Sequence, residues 1–196
     1  MWKRIFLIAL IAWGAHSGWK MRAVAHGPGI IAASAPEQSA VSNPAAFDYK
    51  GYRITPLAAF VVEARLLARE NYLMGRESDL SKTDFGLGWG RMSDESVLKK
   101  IQFSHFNRFL SWRVQEFPIP QREIETSAAN MHLIPADASV DEKIGQVRRG
   151  QVVRLQGYLV RADAGDGWHW VSSLSREDTG AGACELLYVQ DVRVVL

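Results

Sequence analysis

The sequence predicts an α+β fold: a small β-rich, barrel-like domain of the OB or SH3-like kind with one or two short helices, behind an N-terminal signal or membrane anchor. Three observations predict it. Apolar and polar residues alternate along Val152–Arg161, Trp168–Leu174 and Cys184–Val195, the period-two signature of half-buried strands. Ser139-Val140-Asp141-Glu142 has the form of a capping box and leads into Val140, Ile144 and Val147, which recur at helical spacing. Met1–Arg4 is a short positive segment ahead of the apolar run Ile5–Ala15, which fits a secretory leader and is short for a bilayer span of about twenty residues.

A chain of 196 residues, 47% hydrophobic and 22% charged, fills one core and not two. Its formal charge of +2 belongs to the leader. Residues 1–25 hold Lys3, Arg4, Lys20 and Arg22 and no acid, which leaves 19 of the 23 basic residues against all 21 acidic ones. That balance speaks against a nucleic-acid partner. The one cysteine, Cys184, excludes an internal disulfide and lies far from the leader, so it is no lipid-anchor site.

In chain order, residues 1–25 read as a signal peptide or membrane anchor, with small-residue cleavage sites after Ser17 and after Ala25. Residues 26–47, rich in Pro, Ala, Ser and Gly with Glu37 as their one charge, read as a flexible linker, and 48–196 as the globular domain. Tyr49–Thr55 reads as a short strand closed by a turn at Pro56. Residues 57–70 fit both a strand alternation and a helical stripe, and the strand is preferred. Gly86-Leu87-Gly88-Trp89-Gly90 reads as a loop presenting Trp89. Ser93 reads as the cap of a short helix to Lys100, with Asp94 and Glu95 in the first turn and Lys99 and Lys100 in the last. Arg108–Phe117 alternates again, with Leu110, Trp112 and Val114 on one face. The helix opened by Ser139 stops at Gly150, Gly157 marks a bulge or tight bend, and Ala164-Gly165-Asp166-Gly167 is hairpin-turn chemistry.

Three stretches carry a resemblance: 84–90 (DFGLGWG), 127–136 (SAANMHLIPA) and 178–186 (DTGAGACEL). Across about residues 48–190 the chain resembles a family of small, exported, uncharacterised bacterial envelope proteins. The resemblance implies export to the cell envelope, in the periplasm or on the outer face of the inner membrane, and brings no activity with it.

Candidate chemistry is sparse. A thiol hydrolase or transferase would use Cys184 as nucleophile, His132 as base in preference to His169 or His105, and Asp178, Glu185 or Asn130 as orienting group. Asp178-Thr179-Gly180-Ala181 is similar to the catalytic tetrapeptide of retropepsin-like proteases, yet Ser175-Arg176-Glu177 precedes it where apolar residues belong, so Asp178 reads as a turn residue. His132, His169, Asp178 and Glu185 lack the local spacing of a metal site, and no metal or cofactor is expected. Trp89, Trp168, Trp170 and the Gly180 loop instead suit binding, so the expected function is a non-catalytic module for an envelope protein or cell-wall component, held to the membrane by its N-terminus.

Overall fold

The computed structural model describes residues 22–42, 44–180 and 182–196, together with Trp2 and Phe6. The segment read as signal or anchor lies almost wholly outside the described residues. Among these, no helix is long and apolar enough to cross a membrane.

One long strand organises the domain. β3 (Tyr52–Asn71) runs straight through residues 57–70 because Ala58, Phe60, Val62, Ala64 and Leu66 all enter the same core at period two. Each large side chain so buried contributes about 1.5–3 kcal/mol, which outweighs the helical alternative. Pro56 does not end this strand. It lies within β3 beside a register shift against β8 (Val152–Asp163), the kind of irregularity where a residue without an N–H is tolerated.

β4 (Thr83–Gly88) pairs antiparallel with β3, and β7 (Ala128–Pro135) antiparallel with β4. β10 (Glu185–Val194) runs parallel to β7 and antiparallel to β8, and β8 pairs with β3, so the ladder returns to its first strand. A bulge between Val189 and Asp191 lies opposite Gly157, where a Cβ would overlap the Tyr188 carbonyl. β9 (His169–Val171) extends β8 through the expected hairpin, closed by Ala164 N–H to Trp168 O at 2.9 Å. β1 (Glu37–Ala40) and β2 (Phe47–Tyr49) lie along β3. β5 (Ile101–Phe106) and β6 (Phe109–Val114) form a separate hairpin. Helices α1 (Glu95–Leu98), α2 (Gln121–Thr126) and α3 (Ala138–Gln146) are short.

Alternation sorts the strands into two faces. Phe85, Leu87, Met131, Leu133, Leu187 and Val189 fill the inner core, whereas Ile134 and Leu186 join Leu80 in an outer cluster. The inner face holds the larger apolar cluster, and the outer face shares a smaller one with the buried polar groups Asp84 and His132.

Several local expectations are corrected. Gly86 to Gly88 is strand, not loop, and Trp89 is 4% exposed. Its glycines serve close approach: a Cβ at Gly86 would stand 2.7 Å from Leu110 Cδ1 of the β5–β6 hairpin, and one at Gly88 the same distance from Leu67 Cδ1. Asp94, not Ser93, caps α1, accepting from Ser96 N at 2.8 Å, while Ser93 Oγ accepts from Ile31 N and Ala32 N. Asp137, not Ser139, caps α3, accepting from Val140 N at 2.9 Å, and the helix ends at Gln146, before Gly150. Within the span read as a linker, Glu37–Ala40 pairs with β3 and Ala32 is buried. Backbone hydrogen bonds place that segment, so its apolar content gave no sign of it.

Candidate functional site

The β5–β6 hairpin turns through Asn107 (φ 48°) and Arg108 (φ 65°), both left-handed, the geometry of a two-residue hairpin loop. Gly86 lets Leu110 settle on β4, which brings the hairpin tip over the outer face of the sheet. The side chain of Arg108 then reaches into a polar centre. Its Nη1 donates to Asp84 Oδ1 at 3.2 Å, and its Nη2 to Ser78 Oγ at 2.9 Å and to the Ser81 carbonyl at 3.0 Å. The guanidinium lies 4.2 Å from the Tyr72 ring centroid and 5.5 Å from that of Trp170.

Asp84 on β4 is fully buried, and His132 of the neighbouring strand β7 lies opposite it. His132 Nδ1 is 2.9 Å from Asp84 Oδ2 but off the line of a hydrogen bond. The imidazole packs on Trp170 with centroids 4.7 Å apart. One step along β7, Asn130 ties the hairpin down: its Nδ2 donates to the Arg108 carbonyl at 2.8 Å, and its Oδ1 lies 2.8 Å from His105 Nε2.

Cys184 stands immediately before β10, beside this centre. Its polar neighbours are Asn130 Nδ2 at 3.6 Å and the Arg108 carbonyl at 3.9 Å. Burial pushes the thiol up to about 11, and the Glu185, Asp84 and Asp178 carboxylates add to the rise against a lowering contact from Asn130. A thiol so placed is a poor nucleophile at neutral pH.

Comparison with family models, curated protein sequences and solved structures finds no match.

Two grooves meet at Cys184. One, of ≈460 Å³, is lined by Tyr72, Arg108, His132, Trp170 and Cys184 and rimmed by Met74, Phe109 and Val171. The other, of ≈360 Å³, lies between the hairpin and the loop after β9 and includes Trp89, Trp112, Asp178, Gly180 and Glu185. In the second groove Glu185 is 1% exposed and points into the end of the inner core, with Arg176 Nη1 2.8 Å from its Oε1. Glu185 Oε2 has no hydrogen-bond partner. Burial pushes the Glu185 carboxyl up to about 8 despite the adjacent Arg176.

The structure thus brings Cys184 and His132 to one groove without a hydrogen bond between them, and Asp84, not Asp178, is the carboxylate beside His132. Asp178 accepts from Ser173 Oγ at 2.6 Å in the loop. Trp170 lines the first groove, and Trp89 and Gly180 the second. Trp168 stands apart from both, packed on Tyr52 at 5.4 Å with Arg76 over its ring at 4.9 Å. Asp84, Arg108 and Tyr72 were not read as site residues, and Asn130 was read only as a possible orienting residue for the thiol. Asn107-Arg108 between two Phe residues was the available signal, since a two-residue loop with Asn first favours a left-handed hairpin turn. Among the described residues no group of three or more His, Cys, Asp or Glu could hold a metal ion.

Proposed function

We propose that this chain is an exported or membrane-tethered module of the cell envelope that binds a protein partner across the groove beneath the hairpin tip, without chemistry at Cys184. The observation that carries the reading is an apolar rim on that groove. Met74, Phe109 and Val171 on that rim are 87%, 40% and 41% exposed, and Leu73 and Phe106, next in sequence to the groove-lining Met74 and Asn107, are exposed too. Exposed apolar side chains gathered around aromatic walls mark interaction surfaces.

The fold reading supports the same place. A long first strand pairing with both its second and fourth partners, a parallel third and fifth strand, and a helix between the third and fourth support an OB-type reading; here these are β3, β4, β7, β8 and β10, with α3. OB barrels bind through the face of strands two and three, between the loops after strands one and four. In this chain those loops supply Tyr72, Met74, Trp170 and Cys184 to the groove. The rival, a Cys184/His132 hydrolase or transferase, finds less support, because the thiol is raised and its neighbours are an amide and a carbonyl.

A photo-crosslinking amino acid placed at Phe109, in the full chain expressed in a bacterial host, tests the proposal. A discrete protein adduct is expected at Phe109 and not at Val194, and it persists in Cys184→Ala. Adducts that appear equally at both positions, or that vanish with Cys184, overturn it. Co-sedimentation with cell-wall sacculi in place of a protein adduct would move the partner to the cell wall.

A further inference from the structure

We infer that the end of the domain opposite the groove is a cationic pole that rests on an anionic bilayer surface, an inference that rests on reading the N-terminus as a membrane segment. The pole is built around residues 22–26, where the first continuous stretch of described residues begins. Val24 N–H donates to the Arg149 carbonyl at 2.8 Å, and His26 Nε2 lies 2.8 Å from the Gly150 carbonyl. Gly150 has φ 92°, and a Cβ there would overlap the Val24 carbonyl oxygen, so this position admits the strap only as glycine. Further along, Gly29 N–H donates to Asp94, Ile31 and Ala32 N–H to Ser93 Oγ, and Gly90 N–H to the Ala32 carbonyl. Residues 24–32 are therefore stitched to the domain. What lies between them and the apolar run is short.

Nine residue steps separate Ala15 from Val24. Fully extended, they span at most about 30 Å, so this end of the domain cannot leave the neighbourhood of a membrane that holds Ile5–Ala15. The charge at that end fits such a surface. Ala23–Ala25, Lys99 and Arg149 line one recess, and Lys99, Lys100 and Arg113 line the next. Arg22, Lys99, Lys100, Arg113 and Arg149 are all exposed and make no salt bridge among the described residues. Of the acids nearby, Glu95 is paired with Arg65 and Asp94 is the cap of α1, which leaves Glu116 in the second recess. Lys20 continues the series toward the apolar run. Attraction to anionic headgroups is worth about fivefold in binding for each Lys or Arg near the surface, and it falls away within a Debye length of about 8 Å. Phe103, near the base of the hairpin, lines the first recess, while Phe106 and Phe109 lie at its tip, so a pole on the bilayer turns the groove outward.

The test uses the full chain with Cys184→Ala and a fluorophore on Gln102→Cys, mixed with vesicles of phosphatidylcholine alone or with 30 mol% phosphatidylglycerol carrying headgroup quenchers. Sedimentation with both vesicles is expected from the N-terminal segment. Quenching is expected with phosphatidylglycerol alone, and is lost in 0.5 M salt and in Lys99→Glu/Lys100→Glu/Arg149→Glu, whose contact equilibrium falls at least about 100-fold. Sedimentation with both vesicles but quenching that ignores phosphatidylglycerol or the triple variant overturns the pole and spares the membrane segment. Sedimentation with phosphatidylglycerol vesicles alone sustains the pole and overturns the membrane segment, and sedimentation with neither overturns both.

Discussion

Two buried ion pairs flank Cys184, and they are built differently. On the outer face Arg108 meets Asp84 with two serine groups completing its donors and two aromatic rings closing around it. On the inner side Arg176 stands against Glu185, whose carboxyl is pushed up to about 8 by burial; each carboxylate keeps one oxygen without a hydrogen bond, but Asp84 Oδ2 has His132 Nδ1 2.9 Å away. The first is a bracket that pins a hairpin to a sheet. The second is held by a loop, and it can relieve itself by taking up a proton. A buried pair is worth what its surrounding hydrogen bonds make it worth, because desolvation alone offsets the Coulombic gain.

The largest expected effect breaks the bracket. Arg108→Ala leaves Asp84 fully buried with fewer donors and releases the hairpin tip, and a loss of about 3–5 kcal/mol is expected in urea unfolding. Arg176→Ala at pH 6 is expected to cost less than half of that, since Glu185 can be neutral. Equal losses would mean that the two pairs do the same work.

pH sharpens the comparison next. The folded Glu185 carboxyl is raised above the ordinary value of 4.5, so its contribution to stability is complete below that value and is lost as pH rises through about 8. Unfolding midpoints of the native chain are expected to fall between pH 5 and pH 9 relative to those of Glu185→Gln. A parallel pair of pH curves would remove Glu185 as the titrating group.

How much of this was legible follows from the range of each interaction. Strands over 152–161 and 184–195 and the helix near 139 come from local periodicity, which the fold largely keeps, whereas 57–70 carried both periods and only burial in the core decides for the strand. The Asp84, Arg108 and His132 centre joins residues far apart in sequence on separate elements, and no local pattern marks it. The glycines at 86 and 88 misled for a physical reason: glycine weakens a strand on its own, but here a missing Cβ is what lets Leu110 and Leu67 approach. Cap positions slipped by one or two residues because Asp and Ser stand within two positions of each other in both places, and sequence does not say which side chain turns toward the helix.

The smallest effect gives a scale far from both pairs. Asp137→Ala is expected to cost about 0.5–2 kcal/mol through the lost cap on Val140 N–H, and Ser139→Ala less than about 0.3 kcal/mol, both read by denaturant unfolding. The reverse ranking would restore Ser139 as the cap.

Cys184 lies between the two centres, and its reactivity tests most directly whether the site binds or catalyses. The native chain is treated with iodoacetamide at pH 7, with and without denaturant, alongside His132→Ala. Slow native labelling, a fast rise on unfolding and no dependence on His132 are expected of a thiol pushed up to about 11 by burial. Fast native labelling that disappears in His132→Ala would contradict the account and make Cys184 a nucleophile.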